Sequence, residues 1–203
     1  MGMKRNKTIE CRSIQIRASN DGDENLHVEG YAAVFGERTL LWDSPYSGTK
    51  YYEVIEPGAI DENTDMGDVI LRYNHSDAAL ILARTSNDTL RLNVDDKGIH
   101  VDADIAPTSN GKDIYQLIKR GDLSKMSFAF TVDQQSFDED NVAKEETRHI
   151  KHIDYIMDVS PVDFPAYDGT SILARGRKEM IAELEKREKE KELREKLITE
   201  SYL

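Results

Sequence analysis

The segment TLRLNVDDKGIHVDADI, residues 89–105, most narrowly constrains what this chain can fold into. Apolar side chains occupy every second position on both sides of a polar centre, which is the period of a half-buried β-strand. They are Leu90, Leu92 and Val94, followed by Ile99, Val101, Ala103 and Ile105. The centre, Asp95-Asp96-Lys97-Gly98, has the composition of a tight turn, with a glycine that tolerates positive φ. The segment therefore predicts an antiparallel β-hairpin.

Further strand-like segments surround this hairpin. They are residues 8–18, 27–39, 51–57, 68–75, 126–132 and 149–167, whereas the polar residues 134–147 predict a loop. One helix is predicted between the strands, capped by Ser109 or Asn110 and ended by Gly121. Its apolar stripe is Ile114, Leu117 and Ile118. The fold class expected is mainly β, a small antiparallel barrel or sandwich with few helices.

The composition changes at Arg175 and divides the chain into a folded domain, residues 1–174, and a tail, residues 175–203. The tail holds nine of the 27 Lys and Arg residues and eight of the 39 Asp and Glu residues, so residues 1–174 carry a net charge of −13. Strong helix formers predict a charged C-terminal helix, so the tail is either a solvated or partly disordered segment or an interaction arm. An acidic domain repels phosphate backbones, so we expect a basic peptide or a protein partner and no nucleic acid.

Cysteine content and hydropathy narrow the class of protein further. Cys11 is the single cysteine, which excludes an intramolecular disulfide and a multi-cysteine zinc site. No segment approaches the roughly 18 apolar residues of a membrane span, and the first residues lack the apolar core of a signal peptide. The sequence predicts a soluble protein that is not secreted.

Ser127 raises the question of chemistry because it is the second residue of an apolar strand. Alternation places Met126, Phe128, Phe130 and Val132 on one face, and Ser127, Ala129 and Thr131 on the other. The simplest interpretation is a strand with one solvated face. The alternative is a nucleophile directed away from the core, for which Ser124, in the preceding turn, is the rival.

A hydrolytic serine needs a nearby base, which at neutral pH is most often histidine. The sequence contains no G-x-S-x-G, Walker, H-E-x-x-H or G-x-G-x-x-G motif. Among the five histidines, His75 is the best placed, because YNHSD follows an apolar strand and strand ends often carry functional residues. A metal-dependent hydrolase using Asp-rich loops with His100, His149 or His152 is a weaker alternative, because their spacing fits no ligand pattern.

Five segments occur in a fixed order, and the set is more specific than any one of them. They are GYAAVFGERT, EVIEPGAI, YNHSDAALILARTSNDTLRLNVDDKGIHVDADIAPT, KRGDLSKMSFAFTV and IMDVSPVDFPAY. Residues 9–170, which contain them, resemble the caudovirus prohead serine proteases, a family similar to the herpesvirus assemblins. The resemblance implies an assemblin-like β-barrel and a serine endopeptidase of phage capsid maturation.

The resemblance also implies the residues of the site. The histidine of the NH pair is the family's base, which corresponds to His75, and the serine of the MSF segment is its nucleophile, which corresponds to Ser127. An acidic residue before the VS pair corresponds to Asp158 as the third member. Assemblins use a second histidine in that role, so His152 and His149 stay open as alternatives.

Partners and the remaining chemistry follow from the same resemblance. The substrates expected are the major capsid protein, scaffold segments and the chain itself at SILARGRKE, cleaved inside proheads assembling in the bacterial cytoplasm. No cofactor, metal, nucleic acid or membrane is expected, and a homodimer stays open. The oxyanion donor is either Arg84 acting with water or backbone N–H groups near Ser127 or Arg84. A non-catalytic capsid-assembly protein with the same fold is the main alternative function.

Overall fold

The computed structural model describes residues 10–18, 26–163 and 185–191, with the single positions 182 and 193, and side chains from Ile16 onward. The strands are β1 Glu10–Ala18, β2 His27–Val34, β3 Thr39–Asp43, β4 Lys50–Ile55, β5 Ile70–Leu71, β6 Ala83–Arg84, β7 Leu90–Val94, β8 Gly98–Asp104, β9 Lys125–Asp140 and β10 Glu145–Val162. Helix α1 is Ser109–Arg120, and a single 3₁₀ turn is Thr85–Asn87. The mainly β class is confirmed.

The strands form one mixed sheet. Its hydrogen-bonded order is β3-β4-β10-β9-β1-β2-β8-β7, with β5 beside β10 and β6 beside β5. Most pairs are antiparallel, but β10 pairs in parallel with β4 and with β5. Within the described residues the order runs from β3 to β7 without closing. The sheet is mixed and no closed barrel is detected in it, so the small antiparallel barrel of assemblin-like type is not confirmed. Alternation identifies extended segments but carries no information on their pairing direction.

The hairpin of β7 and β8 is confirmed. Its register pairs Leu90 with Ala103, Leu92 with Val101 and Val94 with Ile99. In the turn, Asp95 Oδ1 accepts hydrogen bonds from the backbone of Lys97 and Gly98 at 2.8 and 2.9 Å. Glycine is required at position 98 because a Cβ there would lie 1.9 Å from the Ala33 carbonyl oxygen of β2.

Helix α1 is also confirmed, with a different N-cap. Thr108, not Ser109 or Asn110, is the cap, and its hydroxyl accepts a hydrogen bond from Gly111 N at 3.1 Å. The extended backbone of Thr108 brings its oxygen within reach of the first free N–H groups of the helix. Gly121 ends the helix with φ 90°, as predicted.

The apolar core is a single cluster drawn from the sheet and from α1. It includes Val28, Ile99, Phe128, Phe130, Ile156 and, from the helix, Tyr115 and Ile118. Phe128 and Phe130 stack on each other with ring centroids 4.4 Å apart. No helix in the described part of the chain has the length and apolar character needed to cross a membrane.

The loop predicted for residues 134–147 is wrong, because these residues are the distal ends of β9 and β10. The two strands pair up to Asp140 and Glu145, across a turn of four residues. Most side chains of β9 here are exposed, so burial does not hold it in place. Cross-strand polar contacts such as Arg148 Nε with Gln135 Oε1, 2.6 Å, and the pairing of β10 with β4 stabilise it instead. A polar strand of this kind has no apolar period from which to predict it.

Strand β10 is irregular along its central part. Its fully buried apolar residues, Ile150, Ile153, Ile156 and Val159, are spaced by three, and register shifts against β9 lie between them. The regular alternation of a strand is therefore interrupted between Ile150 and Asp158. Beyond the last shift the pairing is regular again, so Asp158 and Ser160 share one face.

The described part of the C-terminal helix, residues 185–191, contacts the sheet. The Glu188 carboxylate accepts hydrogen bonds from Ser44, Ser47 and Tyr51 at 3.2, 2.5 and 2.8 Å. Burial and the hydrogen bond to Glu188 raise the pKa of Tyr51. The proposed boundary at Arg175, the SILARGRKE segment and residues 19–25 lie outside the described residues.

Candidate active site

Ser127 lies where both faces of β9 are buried. Its exposed fraction is 3%, and Ala129 and Thr131 on the same face are also buried. The simplest interpretation, a strand with one solvated face, is therefore wrong for this part of β9. Ser127 pairs in register with Ser160 of β10, and such partners project to one side with Cβ atoms about 4.5–5.5 Å apart.

The chain after β5 carries His75 onto this side of the sheet. Residues 72–74 run alongside β10: Arg72 N donates to the Val159 carbonyl at 3.1 Å, and Asn74 N donates to the Pro161 carbonyl at 3.0 Å. Asn74 and His75 then adopt left-handed backbone conformations, with φ 53° and 52°. This reversal turns the chain back over β10.

His75, Asp158 and Ser160 form a connected polar cluster. His75 N donates to Ser160 Oγ at 3.2 Å, and His75 Nδ1 lies 2.5 Å from Asp158 Oδ1. Ser160 Oγ donates to the same oxygen at 2.9 Å. An ionised Asp158 accepts hydrogen from Nδ1, which assigns the tautomer and leaves Nε2 as the proton acceptor. The structure thus brings His75 and Asp158 into contact, and Ser160 connects them to the register position of Ser127.

A second set of hydrogen bonds fixes the backbone before His75. Asn74 Nδ2 donates to Asp163 Oδ2 at 2.7 Å, and Asp163 N donates to Asn74 Oδ1 at 3.1 Å. The Tyr73 hydroxyl donates to the other oxygen of Asp163. Burial and this hydrogen bond raise the pKa of Tyr73 to about 12. Asp163, directly after the end of β10, therefore fixes the two residues that precede His75, Tyr73 and Asn74.

Arg72 approaches Asp158 from the opposite side to His75. Its Nε lies 3.5 Å from Asp158 Oδ2, and its Nη1 lies 2.7 Å from Asp77. The side chain of Arg72 is 11% exposed and that of Asp158 is 3% exposed. Asp158 is therefore a buried carboxylate between a histidine and an arginine.

His152 is held by carboxylates other than Asp158. Its Nδ1 lies 2.6 Å from Asp133 and its Nε2 lies 3.2 Å from Asp61. The hydrogen bond that His152 donates to Asp133 is the main cause that raises the pKa of His152, and burial opposes it. In the part of the chain that is described, no group of three or more His, Cys, Asp or Glu side chains is arranged to hold a metal ion.

The other candidates lie at the edges of this region. His149 Nδ1 lies 2.6 Å from Glu56. Ser124 is exposed before β9. Arg84 lies in β6 and is paired with Ile70 of β5, which is paired in turn with Asp158 of β10. The Arg84 side chain donates through Nε and Nη2 to both oxygens of Asp68.

A comparison with protein families decides the classification. The family model described as caudovirus prohead serine protease matches residues 12–186, which include almost the whole sheet and all three candidate site residues. The chain belongs to the caudovirus prohead serine protease family. No curated protein and no solved structure matches it.

Membership confirms the resemblance seen in the ordered motifs. Prohead serine proteases act in capsid maturation, so capsid proteins are the substrates that the family implies. In this member of the family, the segments containing His75, Ser127 and Asp158 are adjacent in space although 83 residues separate His75 from Asp158.

Three residues around the candidate site were not identified from the sequence as parts of it. Ser160 shares a face with Asp158 by strand alternation, and this was the one available signal. Asn74 and Arg72 depend on contacts with the end of β10, about ninety positions away in the chain. No local pattern reports such contacts.

Proposed function

We propose that this prohead serine protease is an active endopeptidase with Ser127 as nucleophile, His75 as general base and Asp158 as the residue that orients the imidazole. The observation that carries the proposal is the 2.5 Å contact of His75 Nδ1 with Asp158, beside the register partner of Ser127. A buried carboxylate that fixes the Nδ1–H tautomer directs Nε2 toward a proton donor.

In the proposed reaction each of these three residues has one role. Ser127 Oγ attacks the carbonyl carbon of the scissile peptide while its proton moves to His75 Nε2. The resulting imidazolium, stabilised by Asp158, donates that proton to the leaving amine as the C–N bond breaks. Water then hydrolyses the acyl-enzyme with His75 again as base. Backbone N–H groups are the better oxyanion candidates, because the Arg84 guanidinium is engaged by Asp68.

The substrates proposed are the major capsid protein and scaffold segments. The net charge of −13 over residues 1–174 favours substrate segments with basic residues near the cleaved bond. Self-cleavage within residues 171–179 is also proposed. Asp163, eight positions before that segment in the sequence, is hydrogen-bonded to Asn74 beside the candidate base.

The test is coexpression of each variant with the neighbouring capsid gene product, followed by intact-mass spectrometry of both proteins. We expect Ser127→Ala and His75→Ala to abolish cleavage, because losing either partner of such a pair reduces the rate on the order of 10⁴-fold or more. Asp158→Asn should be slower but measurable. His152→Ala should have a milder effect, because its ring contacts Asp133 and Asp61.

Ser124→Ala is the matched control, because it removes the rival hydroxyl three positions away. Normal cleavage by Ser127→Ala with loss in Ser124→Ala would reassign the nucleophile. Cleavage by neither the wild-type chain nor any variant would favour the non-catalytic assembly protein. A larger loss in His152→Ala than in Asp158→Asn would indicate the assemblin type of triad.

A further inference from the structure

Asp158 has a cationic neighbour that the proposed reaction does not use. Arg72 Nε is buried and forms no hydrogen bond within the described residues, yet it lies 3.5 Å from Asp158 Oδ2. The contact is thus ionic and lies on the carboxylate oxygen that His75 and Ser160 leave unoccupied. Both of their hydrogen bonds go to Oδ1.

Burial makes this contact more consequential than a surface ion pair. Asp158 is 2% exposed, so its charge is poorly solvated and needs compensation from nearby groups. Ser160 supplies one neutral hydrogen bond, and His75 supplies another while its ring is uncharged. Arg72 is the neighbouring group that carries a positive charge at every pH in the working range.

The same charge affects the histidine. A carboxylate bonded to Nδ1 alone stabilises imidazolium strongly, and a protonated His75 cannot take the Ser127 proton. A guanidinium on the opposite oxygen offsets that attraction. It therefore widens the pH range in which His75 is an uncharged base.

We infer that Arg72 is a positioning residue of the candidate site: it compensates the buried carboxylate of Asp158 and keeps Oδ1 toward His75, and it opposes protonation of His75 in the free enzyme. This inference rests on the proposed function for its catalytic consequence. The contact with Asp158 itself does not depend on it.

The other charged groups near this pair do not replace Arg72. On its outer side Arg72 contacts Asp77, whose side chain is 87% exposed and therefore well solvated. Asp158 is paired with Ala129 of β9 on one side and with Ile70 of β5 on the other. Ile70 is paired in turn with Arg84 of β6. Asp68 neutralises Arg84 there. Asp163 is engaged by Asn74 and Tyr73.

The experiment measures kcat/KM for a capsid-derived peptide against pH in wild type, Arg72→Gln and Arg72→Lys. We expect Arg72→Gln to move the acid limb upward by on the order of one pH unit, so that activity falls roughly tenfold at the acid end and much less on the alkaline plateau. Arg72→Lys keeps the charge and should recover at least half of the shift. Arg91→Gln is the matched control, since Arg91 pairs with Asp102 and Asp104 on the distant hairpin.

A second measurement is independent of turnover. The ring of His75 is titrated by NMR in Ser127→Ala and in Ser127→Ala/Arg72→Gln, with its resonance assigned by loss in His75→Gln. The midpoint should rise in the double variant by the same amount as the acid limb. If Arg72→Gln does not fold, Arg72→Met preserves the apolar stem and takes its place.

The outcomes separate this inference from the proposed function. Serine-dependent cleavage with superimposable acid limbs in wild type and Arg72→Gln overturns the role of Arg72 and leaves the protease assignment intact. Absence of serine-dependent cleavage overturns the protease assignment, and the NMR titration then decides on Arg72 alone. An unchanged His75 midpoint, or an equal shift in Arg91→Gln, rejects the inference.

Discussion

Two consecutive non-glycine residues in left-handed conformation position the candidate base. Asn74 and His75 both have φ near 50°, a region that costs most L-residues about 1 kcal/mol or more and that Asn tolerates best. The hydrogen bonds of Asn74 with Asp163 and of His75 N with Ser160 offset that cost. Asn74 thus combines a tolerant backbone with a side chain that links the reversal to β10.

The two roles of Asn74 can be separated by substitution. Asn74→Gly keeps the left-handed backbone and loses the side-chain hydrogen bonds, whereas Asn74→Ala loses both. We expect both variants to lower kcat about ten- to a hundredfold through displacement of His75. Asn74→Ala should also unfold more easily than Asn74→Gly by about 1 kcal/mol. Peptide cleavage and urea denaturation measure the two effects, and full activity in Asn74→Gly would show that the link to Asp163 is unnecessary.

At the level of elements, His152 joins three parts of the sheet region. It lies in β10, and its ring contacts Asp133 of β9 and Asp61 in the segment between β4 and β5. Asp61 has its pKa lowered first by the backbone N–H of Asn63 and also by His152. The protonated ring therefore stabilises the packing of that segment against the hairpin of β9 and β10.

This junction predicts a pH dependence of stability. The folded pKa of His152 is raised above its unfolded value of about 6.5, so its contribution is fully present below that pH and is lost as pH rises through the folded pKa. We expect the difference in unfolding free energy between wild type and His152→Gln to be largest under mildly acidic conditions and to shrink as the pH rises. Urea denaturation across this range, with His100→Gln as control, measures it. A difference that grows with pH would contradict the assignment.

The elements that could be predicted are those with local signals. The hairpin of β7 and β8 has an apolar alternation and a turn sequence, and α1 has a stripe and a terminal glycine. The distal parts of β9 and β10 have neither, because they are polar on most positions and depend on pairing with β4. The buried apolar residues of β10 are likewise spaced by three because bulges interrupt the strand, and these bulges depend on how β10 pairs with β9.

The candidate site, too, could be predicted from the sequence only in part. Motif order indicated His75, Ser127 and Asp158, and the structure brings their segments together. The supporting contacts of Ser160, Arg72 and Asn74 depend on β10 lying beside β5, a parallel pairing of two residues. Such a short pairing is set by tertiary packing rather than by a preference in either segment.

For the whole molecule, the C-terminal helix contacts the end of the sheet where β9 and β10 turn. Arg187 lies 3.0 Å from Glu146 and over the ring of Phe137, and Lys191 lies 3.0 Å from Glu139. A surface pair such as Lys191 with Glu139 contributes about 0–1 kcal/mol, and none of residues 185–191 belongs to the apolar core cluster. The contacts therefore hold the helix near the sheet without making the core depend on it.

We predict that a chain ending at Ala174 folds and cleaves a coexpressed capsid precursor in solution, yet is not packaged into proheads. The reason is that the tail adds few apolar residues to the core, while its charged helix offers a docking arm for scaffold or capsid segments. Circular dichroism, cleavage in solution and the protein content of purified proheads measure the three outcomes.

Glu188→Gln is the control for this truncation, because it weakens the contacts with Ser44, Ser47 and Tyr51 but retains the helix. Packaging of Glu188→Gln alongside exclusion of the truncated chain would assign delivery to the helix itself. An insoluble truncated chain would show that the tail belongs to the folded domain, and normal packaging would place delivery on the sheet.

Among the described residues β10 is the last strand, and this place in the chain has a consequence for when the candidate site forms during synthesis. Asp158 and the contacts that hold His75, through Ser160 and Asp163, all lie near its end. Protein chains fold from the N-terminus as they leave the ribosome, and earlier segments emerge first. A nascent chain carries Ser127 well before it can position a base. Under the proposed function, shell subunits translated alongside it therefore meet no competent protease until β10 has been made.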